Sequence, residues 1–302
     1  DQVSGIDGMV KWNDRVNDFK YFASVNLTLA RQKTINNYGE VFLNGWDQYR
    51  WAQTNRWSNV KNGAVWMWET IGVFQTQEEI DNYPVNIDGA NNVNLRPGDL
   101  IFKDVNGDGL IDDYDKRPLG YAATDYEWDR SNANKNPLLS MGINLGFEYK
   151  GIDFAADFAG GFMNTFIGDW HVKYGIGTDQ MGYVYNVIDS WQHEDIFDVK
   201  SPWKPGKFPA VRSNNPSIRD WNDFYAKEIN YLRLRNLVVG YTLPVKWTKK
   251  ALVQKLRVYF EGSNLFCWDS LNDFGFDPEI SSVTGFDYPQ HKVYTVGVNV
   301  TF

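Results

Sequence analysis

The sequence predicts an all-β chain: a transmembrane antiparallel β-barrel segment of about seven strands, with long loops gathered at one end. Three observations carry this. Several stretches alternate apolar and polar residues with a period of two, as a strand does when only one face is apolar. Short and long connections alternate strictly between those stretches, the pattern of short periplasmic turns and long external loops. Aromatic residues make up 16% of the 302 residues, while the average residue is polar. A barrel strand shows only alternate residues to lipid, so a polar mean is compatible with a membrane protein.

The strands follow in order. A weak one covers roughly Asp7 to Asp14. In the next, Phe19, Tyr21, Ala23, Val25, Leu27 and Leu29 share one face, opposite Lys20, Ser24, Asn26 and Thr28. Met141, Ile143, Leu145, Phe147 and Tyr149 then alternate with Gly142, Asn144, Gly146 and Glu148. Ile152, Phe154, Ala156, Phe158 and Phe162 oppose Asp153, Asp157 and Gly161. From about Glu228 to Leu243 the apolar phase slips near Asn236, which reads as a β-bulge. Leu256, Val258, Phe260, Phe266 and Trp268 oppose Arg257, Tyr259, Glu261 and Ser263, and the last strand sets Tyr294, Val296, Val298, Val300 and Phe302 against Thr295, Asn299 and Thr301.

Arg15–Asn17 and Lys150–Gly151 are tight turns, and Pro244 to Gln254 is a short connection with a helical turn or two. The long polar stretches are Lys33 to Leu139, Gly168 to Lys227 and Asp269 to Gln290. A soluble sandwich also alternates, but nothing obliges it to place every long loop on one side. The first of these long stretches is expected to have little core of its own. An odd set of strands would leave an open edge in lipid, where bare backbone groups cost several kcal/mol each, so the chain reads as part of a longer barrel.

Composition excludes several classes. The net charge of −8 argues against a nucleic-acid partner. Cys267 is the only cysteine, which rules out an internal disulfide. His171, His193 and His291 lack ligand spacing. No Ser/His/Asp, phosphate-loop or metalloprotease motif is present.

The sharpest motif is Asp104-Val-Asn-Gly-Asp-Gly-Leu-Ile-Asp-Asp-Tyr-Asp115. It matches an EF-hand-type loop: Asp104, Asn106 and Asp108 supply oxygens, Gly109 makes the sharp turn, Leu110 offers its carbonyl, and Asp112 acts directly or through water. Asp115 stands where a Glu usually closes the shell. Clustered carboxylates repel one another without a cation, so a structural Ca²⁺ is expected here.

At this motif the chain resembles the SusC-like (RagA/SusC) branch of the TonB-dependent outer-membrane transporters. The resemblance runs through Gly72-Val-Phe-Gln-Thr-Gln-Glu-Glu-Ile80 and through Pro97-Gly-Asp-Leu-Ile-Phe into the acidic loop. It continues in Gly142-Ile-Asn-Leu-Gly-Phe-Glu-Tyr-Lys-Gly-Ile-Asp-Phe154, Tyr231-Leu-Arg-Leu-Arg-Asn-Leu-Val-Val-Gly-Tyr-Thr-Leu-Pro244 and Leu256-Arg-Val-Tyr-Phe-Glu-Gly-Ser-Asn-Leu-Phe266. It implies that residues 1–302 are the C-terminal part of a plugged barrel of about 22 strands in the bacterial outer membrane. It also implies TonB as energy source, a SusD-like lipoprotein lid, and a glycan or peptide cargo; the N-terminal plug is not in this chain. Residues 33–139 would be an external loop carrying the calcium loop 104–115. The terminal Phe302 is similar to an outer-membrane assembly signal.

Departures from the family lie in Phe42 to Trp68 and Tyr121 to Pro137, so cargo does not carry over. Loop aromatics are the candidate cargo contacts, because their faces stack on sugar rings: Trp46, Trp66, Trp68, Trp170 and Trp191. Oligosaccharide import is the first reading and peptide import the second. A soluble calcium-dependent carbohydrate-binding module and a glycosidase, which needs paired carboxylates, remain open alternatives, although no enzyme activity is expected.

Overall fold

The computed structural model describes residues 2–33, 45, 64–121, 137–167, 189–210, 212, 215–218, 222–249, 252–271, 277–279 and 290–302. Along the chain run β1 (Gln2–Val16), β2 (Phe19–Lys33), β3 (Ala64–Met67), β4 (Thr70–Val73), β5 (Leu100–Phe102), β6 (Arg117–Tyr121), β7 (Leu139–Tyr149), β8 (Ile152–Ile167), β9 (Gln192–His193), β10 (Trp203–Lys204), β11 (Ala226–Thr242), β12 (Lys255–Asp269) and β13 (Val293–Thr301). A 7-stranded antiparallel sheet takes the order β1-β2-β7-β8-β11-β12-β13, and the remaining strands form two-stranded pairs. No helix among the described residues is long and apolar enough to cross a membrane. The strands of the large sheet are 9 to 17 residues long, against the roughly 9–11 that a tilted barrel strand needs to span a bilayer.

Register converts the alternation into two faces. Val10, Val25, Ile143 and Phe158 lie side by side on one face. On the other, Lys11, Ser24, Asn144, Asp157, Asn236 and Ser263 form a polar row across six strands. The apolar face ends in aromatic clusters. Near the short turns, Phe19 lies 5.5 Å from Phe147 and 6.0 Å from Tyr149, with Phe147 stacked on Phe154 at 5.2 Å. Towards the loop end, Trp268 stacks with Phe266 and Phe158 at 6.4 and 6.5 Å. An apolar band with aromatic girdles and a polar inner face is the outer-membrane barrel pattern.

The short connections share one end of the sheet. Val16 pairs with Phe19 across Asn17, whose φ is +54°, and Asp18. Tyr149 pairs with Ile152 across Lys150 and Gly151, with φ values of +46° and +88°. In the second turn the paired positive φ values match the right-handed twist of the flanking strands, and Gly151 fills the second position without steric cost. The phase slip read near Asn236 is a register shift between Leu234 and Asn236 against both neighbours. β1 is longer than its apolar pattern suggested, because its ladder with β2 runs the full length of both strands.

The expectation that the first long stretch has little core is overturned. Trp68, Phe74, Ile80, Ile87, Leu95, Leu100, Ile101, Phe102 and Ile111 from the first long stretch pack with Phe208 and Tyr225 from the second. The two stretches form one loop-end domain with its own apolar core. A helical turn, Gln77–Asp81, capped by Thr76, places Ile80 in it.

The two faces make different demands on substitution. Val298→Arg on the apolar face is expected to cost about 2–4 kcal/mol near the bilayer midplane, and Thr295→Arg on the polar face far less. Equal losses in folding free energy from a vesicle-based titration of both variants would refute the assigned faces.

Candidate functional site

Two regions carry the chemistry: the loop-end domain and the polar face of the sheet. The acidic loop sits in the loop-end domain. Gly107 and Gly109 donate backbone N–H to the Asp104 carboxylate at 2.6 and 2.9 Å. Leu110 N–H donates to Asp108 at 2.8 Å, and the Asn106 amide donates to the other Asp108 oxygen at 2.9 Å. Val105 and Asp112 donate to the two oxygens of Asp115, and Tyr114 N–H to Asp112. The loop therefore folds around its own carboxylates. Its backbone is pinned to Asn86 by two hydrogen bonds, of 2.8 and 3.0 Å, and Ile111 then enters the apolar core.

These hard oxygen donors suit Ca²⁺. Among the described residues, however, no group of three His, Cys, Asp or Glu side chains is arranged to hold a metal ion. In this conformation a cation would compete with loop amides for the same oxygens. Asp115 is fully buried. Burial first, and the nearby Asp104 charge in addition, raise its pKa despite three backbone N–H donors. Asp88, at the adjoining turn, goes the other way: burial opposes the shift, but N–H groups of Asn94, Ala90 and Asn92 outweigh it and lower its pKa.

The core holds two of the tryptophans proposed as cargo contacts, and here the sequence reading is corrected. Trp68 is 3% exposed; its indole donates to the Asp112 carbonyl at 2.7 Å, with the Lys116 ammonium 5.7 Å over the ring. Trp191 is 6% exposed and lies against Gly98, where a Cβ would fall 2.3 Å from the indole. Gly98 has φ +93°, so both its backbone and its missing side chain are required. Neither ring has a face free for cargo. Trp66 stands in β3, whose side-chain placement at this position is outside the described set; Trp46 and Trp170 also lie outside the described residues.

Alternation alone did not single out the ionic ties. Arg212 holds the fully buried Asp99 with hydrogen bonds of 2.8 and 2.5 Å, joining the two long stretches. Ser217 and Asp223 add hydrogen bonds to the backbone of Leu100 and Thr70. On the inner face Arg233 contacts Asp277 at 2.6 Å and Glu279 at 2.7 Å, and Arg235 reaches Glu279 at 2.6 Å. These arginines hold residues of the third long stretch against the wall. Their signal was present in Leu232-Arg-Leu-Arg235: charge on the polar face of an otherwise apolar strand. Nearer the short turns, Arg257 grips Asp153 through two hydrogen bonds and Lys20 meets Glu148 at 3.2 Å.

No protein-family model matches the chain. In sequence it is 26% identical over 263 residues to TonB-dependent receptor P3 of Formosa agariphila, a match covering 80% of this chain and 22% of that protein. TonB-dependent receptor P26 of the same organism is 25% identical over 250 residues, covering 77% of this chain and 22% of that protein. The chain thus spans about a fifth of the length of the curated relatives it matches. In three dimensions it resembles the RagAB peptide importer in its open-open state: TM-score 0.61 and 18% identity, over 99% of this chain and 28% of that one. A second structure, of the RagAB peptide transporter, gives TM-score 0.61 and 20% identity over 99% and 29%. The fold is that of a portion of a TonB-dependent outer-membrane barrel. The named relatives support the resemblance to TonB-dependent receptors read from the sequence, over a portion of their length.

The buried carboxylate sets a pH dependence. A carboxyl whose pKa is raised on folding holds its proton more tightly when folded. Its contribution is most favourable when protonated and declines as pH rises through the folded value. In calcium-free buffer, wild type is expected to lose loop stability relative to Asp115→Asn as pH rises from the ordinary carboxylate range to above it. Proteolysis of residues 104–115 across that range measures it; a difference that is flat in pH contradicts it.

Proposed function

We propose that this chain forms the C-terminal wall of a TonB-dependent outer-membrane importer. A plug and a TonB-contacting segment outside these residues would complete it, and a SusD-like surface lipoprotein would lid its external mouth. One observation carries the proposal: a sheet with an apolar, aromatic-girdled outer face and a polar inner face, whose long connections fold together at a single end. A soluble carbohydrate-binding module would not present that outer face to water. The relatives are receptors and the structural neighbours importers, which supports transport over catalysis.

For the lid, the external hairpin around β9 and β10 offers a contact: Ile196, Phe197 and Val199 are 68%, 92% and 81% exposed. For the cargo, an oligosaccharide remains our first reading, with Trp46, Trp66 and Trp170 as the remaining aromatic candidates. Peptide is the second reading, because the structural neighbours are described as peptide importers. Ca²⁺ is proposed as a structural ion of residues 104–115, supported by the donor types, the two positive-φ glycines and the buried Asp115, whose charge burial and the Asp104 carboxylate disfavour unless a cation offsets it.

Uptake of labelled oligosaccharides and peptides by cells carrying the full-length protein tests the reading. Uptake is expected to need TonB and to weaken with Asp108→Ala while barrel assembly persists. Chelation is expected to expose loop 104–115 to protease in wild type. TonB-independent uptake would refute the transport reading, and protease resistance unchanged by chelation would refute the ion.

A further inference from the structure

The connection between β11 and β12 reverses the charge of the chain. Pro244-Val-Lys-Trp-Thr-Lys-Lys-Ala-Leu-Val-Gln-Lys255 holds 4 lysines and no acidic residue, in a chain of net charge −8. It is built at the short-turn end. Trp247 N–H bonds the Pro244 carbonyl at 2.9 Å, Leu252 N–H bonds Lys249 at 3.1 Å, and Gln254 N–H bonds Thr301 of β13 at 2.8 Å. Thr248 is buried beneath the turn. What the turn shows outward is apolar: Val245, Trp247 and Leu252 are 57%, 68% and 84% exposed. Lys246 and Lys249 are exposed and make no ion pair among the described residues.

Three large apolar side chains beside free ammonium groups are costly in water and well placed at a membrane interface. An indole settles at the headgroup level, and lysine lays its methylene stem along hydrocarbon while its ammonium meets phosphate. The surface is continuous with the lipid-facing rows, since Tyr241 and Leu256 flank the turn on that face. Its positive charge selects an anionic surface, and basic groups beside a membrane gain attraction from anionic lipid.

We propose that residues 244–255 are a membrane-interface anchor that binds anionic phospholipid headgroups of the periplasmic leaflet. The proposal rests on the reading that the short turns face the periplasm.

The test uses the full-length protein in nanodiscs of phosphatidylcholine alone or with a quarter phosphatidylglycerol. Phosphatidylglycerol is expected to raise the melting temperature of wild type and of the inner-face control Lys11→Gln, and added salt to remove the rise. The rise is expected to vanish in the double variant Lys246→Gln, Lys249→Gln. A phosphatidylglycerol shift that survives in the double variant, or is missing in wild type, overturns the proposal. Trp247→Ala is expected to lower the melting temperature in both lipids, and an unchanged value in both would also count against it. Failure of the protein to enter nanodiscs at all would instead mark failure of the barrel reading, so the two are told apart.

Discussion

Everything in this molecule depends on the backbone hydrogen-bond ladder. In hydrocarbon no water is present to pair an N–H or C=O, so each strand must be satisfied by its neighbours. The sheet does this strand by strand from β1 to β13, each antiparallel to the next. The ladder then forces the period of two, because successive side chains must point to opposite faces. The outer edges of β1 and β13 have no ladder partner among the described residues. A sheet of this kind is stable in a bilayer only as part of a closed barrel, in keeping with its likeness to a portion of larger importer chains.

Once the strands are fixed, the two ends of the sheet follow different physics. At the short-turn end, two-residue turns leave little backbone to satisfy, and aromatic rings and lysines face the interface. At the other end the chain is in water and needs a core. Phe74, Leu95, Leu100, Ile111 and Tyr225 supply it with full burial, and burial pushes the Tyr225 hydroxyl far above its ordinary pKa. The Arg212–Asp99 pair joins the stretches that share this core. Losing one partner there would strand a buried charge, a larger penalty than the pair's own net worth. Arg233 and Arg235 do the corresponding task on the inner face, holding Asp277 and Glu279 to the wall.

The barrel was legible in the sequence because its code is local. The faces of β2, β7 and β13, the bulge before Asn236 and the turn at Lys150–Gly151 each follow from residues within one strand or turn. The loop-end domain was not legible, because its core joins Phe74 and Ile101 to Phe208 and Tyr225 across more than a hundred residues, with no periodicity to announce the pairing. The same gap misplaced Trp68 and Trp191. Their composition fits a cargo platform, and only tertiary packing shows the rings closed off. The acidic loop is an intermediate case: its turns and donor atoms were readable, whereas the capture of Asp104 and Asp115 by loop amides depends on the folded backbone.

One face of the sheet is read as meeting lipid and the other as lining a water-filled interior. Spin labels placed singly at each position from 139 to 149 of the full-length protein, reconstituted in vesicles, test it most directly through oxygen accessibility. The account predicts accessibility that alternates with a period of two, high at 141, 143, 145 and 147 and low at 142, 144 and 146. A flat profile, or maxima at the even positions, would contradict it.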